Sequence, residues 1–182
     1  QARTGLIRSL ENARRERWSV GRAAITGVAF LNDQQLVVSD GQGRVHASSL
    51  GGRAKISYEG HTGQVVDLDA AADILVAGTS QGQLAIWGAE APTRPTLVEA
   101  HTASVLAVAC SSDGREVASA GAEGTVRRWG PSGEAIANYP LGARVLALAW
   151  SPDRAWLAVG SAEGLHLIRA SDGKTLRPRS SV

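Results

Sequence analysis

From residue 25 onward the chain alternates short apolar runs with small polar turns, and the alternation itself repeats. Runs begin at Ile25 (ITGVAF), Val65 (VVDLDA), Val105 (VLAVAC) and Val145 (VLALAW), an interval of 40 residues each time. A fixed period of that size marks one supersecondary unit used four times. Each run is followed by a turn rich in Asp, Asn, Ser or Pro: LNDQQ from Leu31, AAADI from Ala70, SSDGR from Ser111 and SPDRA from Ser151. Asp and Ser bond nearby backbone in tight reverse turns, and Pro presets φ. Second strands are predicted at LVVS (Leu36), ILVAG (Ile74), EVASA (Glu116) and WLAVG (Trp156). Glycine turns close at Gly43, Gly82, Gly124 and Gly164, and third strands follow at Arg44, Gln83, Thr125 and Leu165. A more polar fourth strand ends each unit, from Arg53, Thr96, Glu134 and Lys174.

The first strand of each unit is the most apolar and the last the most polar. A radial arrangement accounts for that gradient: the innermost strand is expected to be buried on both faces, and the outermost to meet water, as in the blades of a propeller. No segment after Ile25 sustains an i, i+3, i+4, i+7 apolar pattern, which excludes helical repeats. Thr4–Trp18 (TGLIRSLENARRERW) differs: Leu6, Ile7, Leu10 and Ala13 share a helical stripe that Thr4 can cap, so a short amphipathic helix is expected over 1–18. The expected architecture is all-β, four blades' worth of four-stranded antiparallel sheets at about 21–60, 61–100, 101–140 and 141–182, preceded by that helix.

Composition narrows the function classes. With 182 residues, 43% hydrophobic and 20% charged, the chain can bury one sizeable core and does not read as disordered. Net charge is +2, and the 19 basic residues, only two of them lysines (Lys55, Lys174), are spread along the chain, a poor footprint for nucleic acid. Cys110 is the single cysteine, so no internal disulfide forms, and the plain expectation is a reducing, cytoplasmic setting without a membrane span. No nucleophile elbow, paired-carboxylate motif or metal loop is present, so neither catalysis nor a cofactor or metal is expected. His61 and His101 stand 40 residues apart at equivalent points of two units, which reads as a structural turn position.

The 40-residue period, EGHTGQV (Glu59 to Val65), EAHTASV (Glu99 to Val105), AWSPD (Ala149 to Asp153) and SAGAEGTVRRWG (Ser119 to Gly130) together resemble WD40 repeats, from about Arg15 to the end. The resemblance implies a buried hydrogen-bonded network of turn His, strand Ser or Thr, turn Asp and Trp. In the third repeat these places fall on His101, Ser119, Glu123 and Trp129, with Glu for the usual Asp. The second keeps His61 and Trp87 but has Ala77 and Gln81; the first has Gly21, Ser39, Gln42 and Ser48; the fourth has Leu141, Val159, Glu163 and Arg169. Weak networks are therefore expected, with packing carrying most of the stability. Strand alternation sets Arg128 where the other repeats have Ala47, Ile86 or Ile168. A buried guanidinium without a partner is costly, so Arg128 is expected to reach water or pair with a carboxylate.

The same resemblance implies binding rather than catalysis: a protein-interaction or sensor module, with a propeller wall for an enzyme whose catalytic residues lie elsewhere as the alternative. Partners are expected on the loops that lead into first strands and join second to third strands. Those positions are Ala24, Gln64, Ser104 and Arg144, with Gln42, Ser80, Ala122 and Ala162. A short helix directly before such repeats is similar to the junction in bacterial multidomain proteins where a STAND-type NTPase precedes its sensor. Rings of this family commonly close by lending an N-terminal outer strand to the last blade. RRERWSV (Arg14 to Val20) sits where that strand belongs, although Lys174 to Pro178 already supplies an outer strand. The expectation is an incomplete ring whose further blades come from elsewhere, and not a stable isolated monomer.

Overall fold

The computed structural model describes residues 23–49, 55–88 and 90–177. The helix expected over 1–18, the strand expected at Arg14 to Val20 and Gly21 lie outside them; among the described residues there is no helix.

Among the described residues, sixteen strands form four sheets, each a sequential antiparallel meander. The first sheet holds β1 (Ile25–Asn32), β2 (Gln35–Asp40), β3 (Val45–Ser49) and β4 (Lys55–Tyr58). The second holds β5 (Val65–Ala71), β6 (Ile74–Thr79), β7 (Gln83–Gly88) and β8 (Thr96–Glu99). The third holds β9 (Val105–Cys110), β10 (Val117–Gly121), β11 (Thr125–Trp129) and β12 (Ala135–Pro140). The fourth holds β13 (Val145–Trp150), β14 (Trp156–Ser161), β15 (Gly164–Arg169) and β16 (Thr175–Leu176). Strand starts at 25, 65, 105 and 145 reproduce the apolar period.

The sheets stack face to face in chain order, with β1 packed on β5, β5 on β9 and β9 on β13. A separate hydrophobic cluster fills each of the three junctions. Val37, Val45 and Ala47 meet Leu68, Leu75 and Trp87 at the first. Val76, Leu84 and Ile86 meet Val105, Val117 and Trp129 at the second. At the third, Ala107, Ala109, Ala118 and Ala120 seat Leu157, Val159 and Ile168, with Trp150 alongside. Small residues thus face bulky ones across that last junction.

Burial departs from the simple radial gradient. The second strand is among the deepest in every sheet, whereas on the first strand of the first sheet Ile25, Val28 and Phe30 are 50%, 60% and 61% exposed. An inner strand is covered on a face only where another sheet abuts it, and β1 and β13 make no mutual packing comparable to the three junctions.

Register corrects two readings. β14 and β15 pair Gly160 with Leu165 where the third sheet pairs Ala120 with Val126, so the hairpin of the fourth sheet is one residue shorter. Ile168, opposite Leu157, therefore takes the place of Trp129, opposite Val117, while Leu167 takes that of Arg128 and Arg169 falls one step beyond. In the first sheet Val38, opposite Val28, holds the place of Ser119, and Ser39 points to the second sheet, where a Cβ on Gly27 would crowd both its hydroxyl and Leu68.

Candidate interaction face

One hydrogen bond recurs at the loop end where first strands begin. The residue before the first strand gives its carbonyl to an amide in the turn between second and third strands: Gly41 to Ala24 at 2.8 Å, Ser80 to Gln64 at 2.8 Å, Ala122 to Ser104 at 2.8 Å and Ala162 to Arg144 at 2.9 Å. This contact brings Gln64 together with Ser80, and sets Ser104 and Arg144 at equivalent points of the same end. In the first sheet the paired residue is Gly41; Gln42 lies one step on, exposed, its amide donating to Asp40 Oδ1 at 2.9 Å. The Gln64 side chain crosses to the first sheet and donates to the Gly41 carbonyl at 3.2 Å. Gln64, Ser80 and Arg144 are exposed and Ser104 is half-buried. The resulting rim offers amide and hydroxyl groups over the first two sheets and the exposed Arg144 guanidinium over the fourth.

What holds these loops is the turn glycine behind them. The Gly82 carbonyl accepts the amides of Ala100 at 3.0 Å and His101 at 2.9 Å; the Gly124 carbonyl accepts those of Leu141 at 3.0 Å and Gly142 at 3.2 Å. Gly82 has φ +85°, and a Cβ there would lie 2.2 Å from the His101 carbonyl oxygen. Only glycine fits a left-handed turn pressed that closely against the next sheet.

Beneath the rim of the third sheet the four-residue network closes completely, which overturns the expectation of a weak one there. Trp129 Nε1–H donates to Ser119 Oγ at 2.8 Å, and Ser119 lies 2.7 Å from His101 Nε2. His101 Nδ1 lies 2.5 Å from Glu123 Oε1, which also accepts the Thr125 hydroxyl at 2.5 Å. Neutral His101 with its proton on Nδ1 satisfies every member: indole to hydroxyl, hydroxyl to imidazole, imidazole to carboxylate. Burial pushes His101 below its ordinary value, against the pull of Glu123. Burial alone would raise Glu123, but the bonds from Thr125 and His101 outweigh it and hold the carboxyl below the usual carboxylate range. The longer glutamate thus fills the aspartate place without breaking the chain of donors.

The second sheet replaces the network with ring packing. His61 stands edge-on to Trp87 at 5.7 Å, as does Tyr58, and Trp87 Nε1–H donates to the Glu59 carbonyl at 2.9 Å. Ala77 and Gln81 cannot continue the chain, and burial lowers His61.

At the opposite loop end a cleft of about 450 Å³ opens between the third and fourth sheets, lined by Glu116, Arg128, Arg154, Trp156 and Arg169. Arg128 is 5% exposed and is paired as its position required. Nε and Nη2 donate to Glu116 Oε2 at 2.8 and 2.5 Å, and Nη1 donates to Tyr139 Oη at 3.1 Å and the Ala170 carbonyl at 2.8 Å. Its guanidinium also lies 5.4 Å from the Trp150 ring centre. Burial would lower Arg128, but Tyr139 and Glu116 outweigh it and raise it. Arg154 pairs with Asp113, and Arg169 with Asp172 while lying over Trp156. With its arginines neutralised in this way, the cleft is a structural seam.

Asp67 and Asp69, which show no catalytic or metal motif in the sequence and were given no role there, brace the second junction. Asp67 Oδ2 accepts the Val108 amide at 2.9 Å and Asp69 Oδ2 that of Cys110 at 2.8 Å. β9 ends its sheet, so these amides have no strand partner, and the carboxylates of the preceding sheet satisfy them. Two acidic residues at alternate positions of an otherwise apolar first strand were the available signal. Among the described residues no group of three or more His, Cys, Asp or Glu could hold a metal ion, and no helix is long and apolar enough to cross a membrane.

Comparison with known proteins agrees with this geometry. The WD40 family model, described as WD domain, G-beta repeat, matches residues 93–130 and 138–168, so these two stretches are similar to WD40 repeats. Each begins at or just before the outer strand of one sheet and ends at or just after the third strand of the next, so the sequence repeat is offset from the structural one. The chain is 31% identical over 114 residues to the protein named small ribosomal subunit protein RACK1y of Oryza sativa subsp. japonica, across 60% of this chain and 34% of that protein. The match thus spans about a third of the length of that relative. The fold is similar to the crystal structure of the computationally designed Ika4 protein, with a TM-score of 0.73 at 21% identity, covering 82% of this chain and 92% of that one.

Proposed function

We propose that this chain is a non-catalytic protein-interaction module whose partner docks on the loop end carrying Gln64, Ser80, Ser104 and Arg144. The observation that carries the reading is the fourfold backbone contact between the lead-in residue and the second turn. It fixes four variable side chains at equivalent points on a rigid frame, the arrangement that suits loops to recognition. The likeness to RACK1y, a protein named as part of the small ribosomal subunit, supports a role inside a larger assembly. Glutamine amides and serine hydroxyls at one side, with a guanidinium at the other, match a polypeptide surface offering backbone groups and a carboxylate. A Gln64→Ala, Arg144→Ala double variant is expected to keep the wild-type melting temperature and lose co-purification of the native partner. Undiminished co-purification would refute this face.

A finer placement, as the sensor of a bacterial multidomain signalling or defence protein, rests on the helix-like stretch of residues 4–18 directly before the repeats. Its test is the gene around the coding segment: a P-loop followed by helical domains upstream supports it, and a hydrolase motif there contradicts it.

A further inference from the structure

At the third sheet the loop rim rests on an ionisable latch. The connector into β9 and the turn between β10 and β11 meet at the rim, where the Ala122 amide donates to the Ser104 carbonyl at 2.8 Å. Directly beneath, His101 belongs to the connector and Glu123 to the turn, and Nδ1 stands 2.5 Å from Oε1. A Cβ on Gly121 would collide with both His101 Nδ1 and the Glu123 carboxylate, so the ring lies against the backbone of the turn. The His101 side chain and Ser119 behind it are both 0% exposed, out of reach of solvent. The second sheet joins the same two loops through neutral groups, with the Thr62 hydroxyl donating to Gln81 Oε1 at 3.2 Å. In the fourth, His166 Nε2 stands 3.1 Å from Ser161 Oγ of its own hairpin. Among the described residues, then, a titratable link between connector and turn belongs to the third sheet.

We infer that protonation of His101 opens this latch, so that mild acid loosens the loops carrying Ser104 and Ala122 and weakens the rim's hold on its partner. With the ring neutral, each hydrogen has its own acceptor: the Trp129 indole on Ser119, the Ser119 hydroxyl on Nε2 and Nδ1–H on Glu123. A proton from solvent on Nε2 turns that acceptor into a donor. Ser119 Oγ then receives hydrogens from both Trp129 and His101, and its own hydroxyl proton is left without an acceptor. A stranded buried donor favours opening of the segment around it. Burial lowers His101, Glu123 pulls it up, and the charge of Arg127 on β11 pushes it down again. From the second sheet, the Glu99 carboxylate is taken up by Gln83 Nε2 at 2.9 Å. Glu123 is held below its ordinary 4.5 and stays ionised through mild acid. Folded His101 therefore changes charge below its ordinary 6.5: the latch is shut above that window and opens as pH falls through it. The consequence for binding rests on the proposed docking face, whereas the latch itself does not.

Amide hydrogen exchange resolved by NMR tests it on the 182-residue chain without any partner. Protection of the Ala122 amide, corrected for intrinsic exchange, is expected to fall about tenfold or more between about pH 7.5 and about pH 5. In His101→Gln that fall is expected to vanish. The Ser80 and Ala162 amides, which make the equivalent bond in the neighbouring sheets, are expected to respond to pH alike in both proteins. Glu123→Gln keeps an acceptor for Nδ1–H and removes the charge that pulls His101 up, so its transition is expected at lower pH than that of the wild type. This variant decides the matter where His101→Gln does not fold. Ala122 protection that does not change with pH, a fall that persists in His101→Gln, or an unshifted transition in Glu123→Gln overturns the inference. Undiminished co-purification in Gln64→Ala, Arg144→Ala with the exchange step intact overturns the docking face alone.

Discussion

A single hydroxyl, that of Ser119, joins the indole of Trp129 to the imidazole of His101, and both bonds are lost in Ser119→Ala. Trp129 is 5% exposed. Trp129→Ala is expected to lower unfolding free energy by roughly 3 to 5 kcal/mol in urea titration, the range for truncating a core tryptophan; Ser119→Ala costs less, about 1 to 3 kcal/mol, by stranding buried donors. The pH dependence has a definite sign. Folded His101 titrates below its ordinary 6.5, so the unfolded chain binds more protons, and stability falls as pH drops below that value. Glu123, also lowered, adds a loss in the same direction at lower pH. His101→Gln should therefore flatten the slope of stability between about pH 7 and 5. Asp67 and Asp69 act oppositely: burial raises both above their ordinary 3.8, so their contribution weakens as pH rises past it. Asp67→Asn is expected to raise the melting temperature at neutral pH and to give no gain at pH near that value. Cys110 is buried, and burial pushes its thiol up, so it should resist alkylation until the chain unfolds.

At the scale of elements, the decisive parts are the turns that tie each sheet to the next. Gly82→Ala places a methyl against the His101 carbonyl and should destabilise by more than about 1 kcal/mol, whereas Gly88→Ala, which meets open space, should not. Glu116→Ala leaves the Arg128 guanidinium short of its carboxylate and is expected to cost about 2 to 3 kcal/mol, part of which Arg128→Ile returns in the double variant. Ile86 and Leu167 hold the same place in neighbouring sheets without any ion pair. The order of strands was legible in the chain because apolar runs and turn residues recur at a fixed interval. The network of the third sheet was legible because His101, Ser119, Glu123 and Trp129 keep its spacing. The places of Ser39 and Ile168 were not, since a hairpin shortened by one residue shifts every later side chain by a face without altering the period. Nor was the Glu116–Arg128 pair, which exists only because the antiparallel register folds the start of β10 beside the end of β11.

On the scale of the whole molecule, four sheets bonded to one another in chain order leave a rigid frame with two loop ends of different character. The end with the Arg128 seam is internally neutralised, with Arg154 on Asp113 and Arg169 on Asp172. The end with Gln64, Ser80 and Arg144 holds the Arg44–Asp40 pair and the Gln64 bond to the Gly41 carbonyl, and leaves the Arg144 side chain exposed. Such an asymmetry is what a module with one recognition face requires. The measurement that tests this most directly is site-specific photo-crosslinking in the native host. A photoreactive residue is placed in turn at Gln64, Ser80 and Arg144, and at Asp73, Arg115 and Asp153 of the opposite end, and the adducts are identified by mass spectrometry. Adducts to one defined protein from the first three positions, and none from the other three, are the predicted result. Equal adducts from both ends, or adducts from the second group alone, would contradict the account.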